Sequence, residues 1–252
     1  MIRKKQDLLT VQIYATRWEM GKAAAKDIKE CILSLLAKKQ EINMIFAAAP
    51  SQNEVLAALV NDREIPWDRV NAFHMDEYIG LAPDAPQGFG NFLKAHIFGL
   101  VRFKSVHYID ISATDAEAEC ARYATLLSQY PTDVVVMGIG ENGHVAFNDP
   151  PVADFCDPLA VKPVELDEIC RNQQVHDGCF AKLEDVPKTA ITLTVPTLMA
   201  GAHLFCIVPA KTKANAVRAT LCGEIGEHCP ATALRRHESA VLYLDAESAA
   251  LL

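Results

Sequence analysis

Between residues 133 and 150 the chain gathers the residue types that proton transfer needs. Gly138, Gly140 and Gly143 are interleaved with Glu141 and Asn142, then come His144 and, five residues on, Asp149. An imidazole changes charge near neutral pH and can move a proton in either direction, and a neighbouring carboxylate favours its charged form. Three glycines in six positions permit backbone conformations barred to other residues and let a ligand approach the main chain closely. A second acidic group, Asp76-Glu77, follows the run Val70-Asn71-Ala72-Phe73-His74 and precedes a loop carrying Pro83, Pro86, Gly88 and Gly90. Two readings stand for that pair: a solvated turn, or acids placed for function at the carboxyl end of a strand.

The elements that must position these groups are legible from periodicity. Val134-Val135-Val136-Met137 is apolar without alternation, the pattern of a strand covered on both faces in a parallel sheet. Ligands bind in the crevice beyond the carboxyl ends of such strands, which is where His144 and Asp149 then stand. Residues 18–39 carry Met20, Ala24, Ile28, Ile32, Leu35 and Leu36 at helical spacing and predict an amphipathic helix. Residues 42–49 read as a buried strand, followed by Pro50-Ser51-Gln52 and a helix over 55–60. Ser51 or Asn53 can cap that helix and Pro50 suits its first turn. A strand, a tight loop and a helix N-terminus make either an anion site or an ordinary connection.

Further strands are predicted at 105–109, 190–195, 203–208 and 240–244, and helices at 90–98, 115–129, 166–180 and from Lys213 to about 221. Residues 150–163 are irregular, punctuated by Pro151 and Pro158, and predict a covering loop or lid. His96, His107 and His203 sit in apolar patterns as packed or surface histidines. Four strand ends therefore present candidate groups to one edge of a sheet: the Ser51 loop, Asp76, the His144 loop and Lys213. The expected architecture is one α/β domain over residues 1–252.

Composition narrows the function. The chain has 252 residues, half of them hydrophobic, and a formal net charge of -8, with no basic face or run to neutralise a nucleic-acid backbone. A small anionic substrate needs only a few local donors and stays possible. No apolar stretch suits a signal peptide or a bilayer span, which predicts a cytoplasmic protein without membrane contact. The eight cysteines (Cys31, Cys120, Cys156, Cys170, Cys179, Cys206, Cys222 and Cys229) are not paired at two-residue spacing and read as reduced thiols.

Two motifs carry a resemblance: Phe73-His74-Met75-Asp76-Glu77-Tyr78, and Gly138-Ile139-Gly140-Glu141-Asn142-Gly143-His144-Val145-Ala146-Phe147-Asn148-Asp149-Pro150. Both are long and occur in the right order, and with Val186-Pro187-Lys188 and Lys213 the chain from about residue 10 onward resembles the glucosamine-6-phosphate deaminase/isomerase family. That resemblance implies a single-domain Rossmann-like fold, with a mostly parallel sheet and helices on both faces. It implies a cofactor-free reaction that converts a phosphorylated amino sugar to a keto-sugar phosphate and ammonia. Asp76 matches the family's proton-shuttling base and His144 its ring-opening imidazole, flanked by Asn142 and Asp149 where the family places two acids. Ser51, Gln52, Gly138, Lys213 and Arg171 are the substrate-binding candidates.

Departures concentrate in the phosphate-binding parts. The family loop is typically of Thr-Gly-Gly-Thr-Pro type, whereas this chain has Ala48-Ala49-Pro50-Ser51-Gln52, and Pro50 has no N–H to donate. The family's phosphate-binding arginine is expected near residues 175–179, where Val175-His176-Asp177-Gly178-Cys179 stands; Arg171 is the nearest arginine. The extended C-terminal segment of the allosterically regulated members is not matched, so a homo-oligomer stays open and hexameric regulation is not expected. Two alternatives share the fold: a 6-phosphogluconolactonase-type hydrolase, whose loop usually reads Asp-Gly-His-Thr-Ala-Ser, and a noncatalytic sugar-phosphate sensor. A metal reading of His74, Asp76 and His144 lacks a fixed ligand set, and no metal is expected.

Overall fold

The computed structural model describes residues 1–110 and 112–252. An antiparallel hairpin of β1 (Ile2–Gln6) and β2 (Leu9–Ile13) opens the chain, followed by α1 (Arg17–Leu36), β3 (Ile42–Phe46) and α2 (Asn53–Asn61). Next come β4 (Val70–His74), β5 (Asp76–Tyr78), α3 (Phe89–Leu93), β6 (Ser105–His107), α4 (Ala116–Gln129) and β7 (Val134–Met137). The chain closes with β8 (Val161–Glu165), α5 (Glu168–His176), β9 (Thr189–Leu193), α6 (Val195–Met199), β10 (His203–Val208), α7 (Ala214–Cys222) and β11 (Ala240–Leu244).

The main sheet has the order β1-β2-β11-β10-β7-β3-β4-β6, and all its pairings except β1 with β2 are parallel. Side chains on a strand alternate between the two faces, so an unbroken apolar run must be covered twice. Val134 and Val136 pack with Met20, Ile28 and Ile32 of α1 and with Val55 and Leu59 of α2. Val135 and Met137 pack on the other side with Tyr123 and Leu127 of α4 and with Val217 and Leu221 of α7. Each fully buried aliphatic side chain of this kind contributes about 1.5–3 kcal/mol of transfer free energy. The sheet thus carries a packed helix layer on each face.

Side-chain caps set where several helices begin. Thr16 Oγ1 accepts from Glu19 N at the start of α1, Asp115 accepts from Glu117 N and Ala118 N at α4, and Asp167 Oδ1 accepts from Cys170 N at 2.6 Å at α5. The second helix departs from expectation: neither Ser51 nor Asn53 caps it, and a short 3-10 turn over Pro50–Gln52 leads directly into α2.

A second, three-stranded antiparallel sheet, β5-β9-β8, lies beyond the ends of the parallel strands. Two expectations change because of it. The predicted strand at 190–195 belongs to this small sheet, and the end of the predicted 150–163 lid is its edge strand β8. The irregular part is tied down as well. Lys162 Nζ donates to Val152 O and Asp157 Oδ2 at 2.6 and 2.7 Å, and Phe155 N donates to Glu227 Oε1 at 3.0 Å. None of the residues 150–160 lines the cleft described next. Among the described residues no helix is long and apolar enough to cross a membrane. All eight cysteines are free.

Candidate active site

In the sheet order, β3 continues to β4 and β6 on one side while β7 continues to β10 and β11 on the other. The chain direction across the sheet therefore reverses between β3 and β7, and such a switch point opens a crevice at the carboxyl ends of the strands. A cleft lies there, lined from β3 by Ala47 to Gln52, from β4 by Met75 and Asp76, from β7 by Gly138, Ile139, Gly140 and His144, and from β10 by Pro209, Ala210, Thr212 and Lys213. All four predicted strand ends meet in it.

The loop after β7 is shaped by its glycines. A Cβ on Gly140 would lie 2.1 Å from the His144 ring, so only glycine lets the imidazole rest on the main chain. Gly143 has φ +87°, and a Cβ there would come within 2.6 Å of Cys229 Sγ. The turn closes through Gly140 N donating to His144 O and Gly143 N donating to Gly140 O, at 2.9 and 3.0 Å. Asn142 then fastens two neighbours: its Oδ1 accepts from His144 N at 3.0 Å and its Nδ2 donates to Asp149 Oδ1 at 2.9 Å.

His144 Nδ1 lies 2.8 Å from the same Asp149 oxygen, without the alignment of a directed hydrogen bond. Burial pushes the Asp149 carboxyl up. The interaction with His144 and hydrogen bonds from Asn142 and Cys170 outweigh this and hold it below the usual carboxylate value. Asp149 therefore stays ionised behind the imidazole. Asn142 and Asp149 form a bracket around His144.

Asp76 is placed by a break between β4 and β5. His74, fully buried, accepts at Nε2 from Ile109 N at 2.9 Å, which makes Nδ1 the protonated nitrogen; Nδ1–H donates to Asp76 O at 2.9 Å. Burial pushes this imidazole down to about 4, so it is neutral and serves as a fixed spacer. Asp76 stands opposite Thr192 in the small sheet, and Leu193 N donates to Met75 O at 2.8 Å, which fixes the main chain on both sides.

Of the two adjacent acids, only Asp76 lines the cleft. Burial and, after it, the charge of Glu77 raise the Asp76 carboxyl well above the usual carboxylate value. Glu77 acts as a structural clasp, with Oε1 accepting from Tyr78 N and Phe89 N, and Oε2 from Gly90 N, at 2.8–2.9 Å. It closes the Gly/Pro loop onto the start of α3. Burial raises the Glu77 carboxyl, opposed by those three N–H donors.

The other end of the cleft is assembled from more distant parts. Gln52 is fully buried; its Nε2 donates to Ser51 Oγ at 3.0 Å and reaches Ile207 O at 3.3 Å and Met137 O at 3.4 Å. Gly138 is where this amide passes, since a Cβ there would lie 3.2 Å from Gln52 Nε2. Lys213 is buried at the start of α7, and burial pushes its ammonium below the ordinary lysine value, opposed by Asp177, Glu141 and Cys170.

Arg171 is a correction. Its Nη2 donates to Leu183 O at 2.7 Å and Val186 O at 3.0 Å, and it does not line the cleft. On α5 the spacing i, i+3, i+4, i+7 puts Cys170, Gln173, Gln174 and Asp177 on one face, and Arg171 points away from it. Gln173, Gln174 and Asp177 line the cleft. Sequence reasoning missed them, although that polar stripe was the available signal. Arg17, from the first turn of α1, was missed too; nothing local in the sequence points to it.

One further cluster has metal-ligand chemistry. A ring nitrogen of His144, a carboxylate oxygen of Asp149 and Cys170 Sγ lie within 4.8 Å of one another. Three such donors are a set that a divalent ion with an open position can take, at the cost of occupying the imidazole. The grouping of His74, Asp76 and His144 is different, because both ring nitrogens of His74 are already bonded to main-chain groups.

Comparison with known proteins identifies the family of this chain. The profile of the family described as glucosamine-6-phosphate isomerases/6-phosphogluconolactonase matches residues 15–152. A glucosamine-6-phosphate deaminase of Listeria innocua is 34% identical over 212 residues, covering 84% of this chain and 88% of the relative. One from Bacillus cereus is 32% identical over 243 residues, covering 96% and 89%. Among solved structures, a monomeric glucosamine-6-phosphate deaminase superposes with a TM-score of 0.87 at 27% identity, covering 96% of this chain and 99% of that one. The 6-phosphogluconolactonase of Thermotoga maritima, at 20% identity, TM-score 0.77 and 94% and 99% coverage, shares the fold. The chain belongs to the glucosamine-6-phosphate isomerase/6-phosphogluconolactonase family.

Proposed function

We propose that the protein is an amino-sugar deaminase/isomerase, acting on glucosamine 6-phosphate or a close analogue and releasing a ketose and ammonia. His144, at the cleft wall with Asp149 ionised behind it, moves a proton between the anomeric hydroxyl and the ring oxygen, which opens the ring. Asp76 then takes the proton from C2 of the open chain, the freed electron pair forms the C1–C2 double bond, and the former carbonyl oxygen on C1 takes a proton from water to give an enolamine. Returning that proton to C1 leaves an imine at C2. Water adds to the imine carbon, and ammonia departs as the C2 carbonyl forms.

The observation that carries this reading is that Asp76 and His144, from different strand ends, line one cleft. A base held well above the usual carboxylate value is closer in proton affinity to the acidic carbon of an imine or carbonyl than an exposed aspartate is. It must be ionised to act, so in the free enzyme kcat/KM falls on the acid side as Asp76 takes up its proton, at a pH above the usual carboxylate range. Ammonia release from a panel of amino sugars in D2O tests the proposal. Ammonia together with solvent deuterium at C1 of the ketose is expected, and a panel that yields no ammonia would overturn it.

A further inference from the structure

The geometry points to Asp245 as a positioning residue: it clasps the main chain of Ala210 in a strained turn and thereby aims the Lys213 wall at the substrate. This rests on the deaminase reading and adds to it a residue that sets one wall of the same cleft.

Ala210 follows β10 and lines the cleft together with Pro209, Thr212 and Lys213. Its backbone has φ +81° and ψ 148°, a region that is essentially glycine's. Such a conformation persists in alanine only where the surroundings over-determine it. Here they do so through one carboxylate. Asp245 is buried directly after β11, the parallel neighbour of β10, and the two strands end with Val208 opposite Leu244. Both Asp245 oxygens accept from Ala210 N, at 3.2 and 3.1 Å. The carboxylate is itself seated by fully buried Ser248: Asp245 Oδ1 accepts from Ser248 N at 2.8 Å, and Ser248 Oγ accepts from Asp245 N at 3.2 Å.

The turn that follows depends on this clasp. Lys213 N donates to Ala210 O at 3.1 Å, which closes a 3-10 turn over Lys211–Lys213 leading into α7. Ala210 is thus gripped on both sides, its N–H by Asp245 and its carbonyl by Lys213. Released from the carboxylate, an alanine relaxes to negative φ, and that rotation swings Thr212 and Lys213 off the wall. Asp245 does not line the cleft and acts through Ala210 alone.

The test is ammonia release by the full chain from glucosamine 6-phosphate. Asp245→Ala is expected to raise KM about tenfold while kcat stays within about threefold, because the proton-transfer end is untouched. Asp245→Asn keeps an oxygen that accepts from Ala210 N, so its KM is expected within about threefold of wild type. Glycine adopts the turn without a clasp, and adding Ala210→Gly to Asp245→Ala is expected to restore KM to within about threefold. A wild-type KM in D245A, a loss confined to kcat, or a KM rise that A210G does not reverse would overturn the inference. Should D245A not fold, hydrogen exchange on the wild type decides. Exchange of the Ala210 amide at least about 100-fold slower than that of an unstructured amide upholds the clasp, and unprotected exchange overturns it. The same measurement separates this inference from the deaminase reading, which falls if no amino sugar releases ammonia, whatever the protection at Ala210.

Discussion

The two ends of the cleft are built by opposite means. At the proton-transfer end, Asp76, Asn142, His144 and Asp149 come from two short contiguous stretches. Asp76, His144 and Asp149 are buried and Asn142 half-buried, and their main chain is fixed by strand pairing, tight turns and the neutral His74 spacer. At the distal end, Lys213, Asp177, Gln174 and the Ser51 loop come from three separate elements. The proposed proton-transfer groups are thus held by local covalent spacing, whereas the distal wall is held by packing among elements.

The comparison can be broken at its strongest point first. Asp76→Asn is expected to lower kcat by about 10³-fold, the scale of a lost general base, and to abolish deuterium incorporation while substrate affinity stays within severalfold. Deuterium exchange at the wild-type rate in that variant would remove Asp76 from the base role.

A smaller effect concerns rigidity behind Asp76. The imidazole of His74 takes up a proton near 6.5 when unfolded but only near 4 when folded. Above pH 6.5 it is neutral in both states and imposes no penalty. Between 6.5 and 4 only the unfolded chain binds the proton, so stability falls, and below 4 the loss levels off at roughly 3 kcal/mol. Urea unfolding of the wild type and of His74→Gln across this window would measure it, since the variant lacks that component of the slope. Equal pH slopes would show that His74 is not the neutral spacer.

The smallest expected effect sharpens the boundary of the distal end. Arg171→Ala should cost about 1–2 kcal/mol of stability through two lost main-chain hydrogen bonds and leave KM unchanged. A several-fold rise in KM would return Arg171 to the site.

These contrasts also explain what the sequence made legible. The buried run Val134 to Met137 and the glycines after it carry their instructions locally, so the strand, the turn and the placement of His144 and Asp149 were readable. Asp76 was readable as a strand-end acid, but its entry into a second sheet was not, because pairing of β5 with β9 depends on residues more than a hundred positions away. Arg171 looked suitable by type and neighbourhood. One residue of helical rotation separates it from the stripe of Gln173, Gln174 and Asp177, and that rotation is set by the Asp167 cap and the burial of Cys170. Arg17 joins the wall only through the packing of α1 on α2, for which no nearby spacing gives notice.

The outermost strand carries a consequence of its own. β1 leaves one ladder of main-chain donors and acceptors unpaired within this chain, and its exposed side chains include Arg3, Lys4 and Lys5 in succession. Two molecules attempting to extend the sheet through these borders would bring rows of like charge into register. The rim thereby discourages its own stacking into fibres.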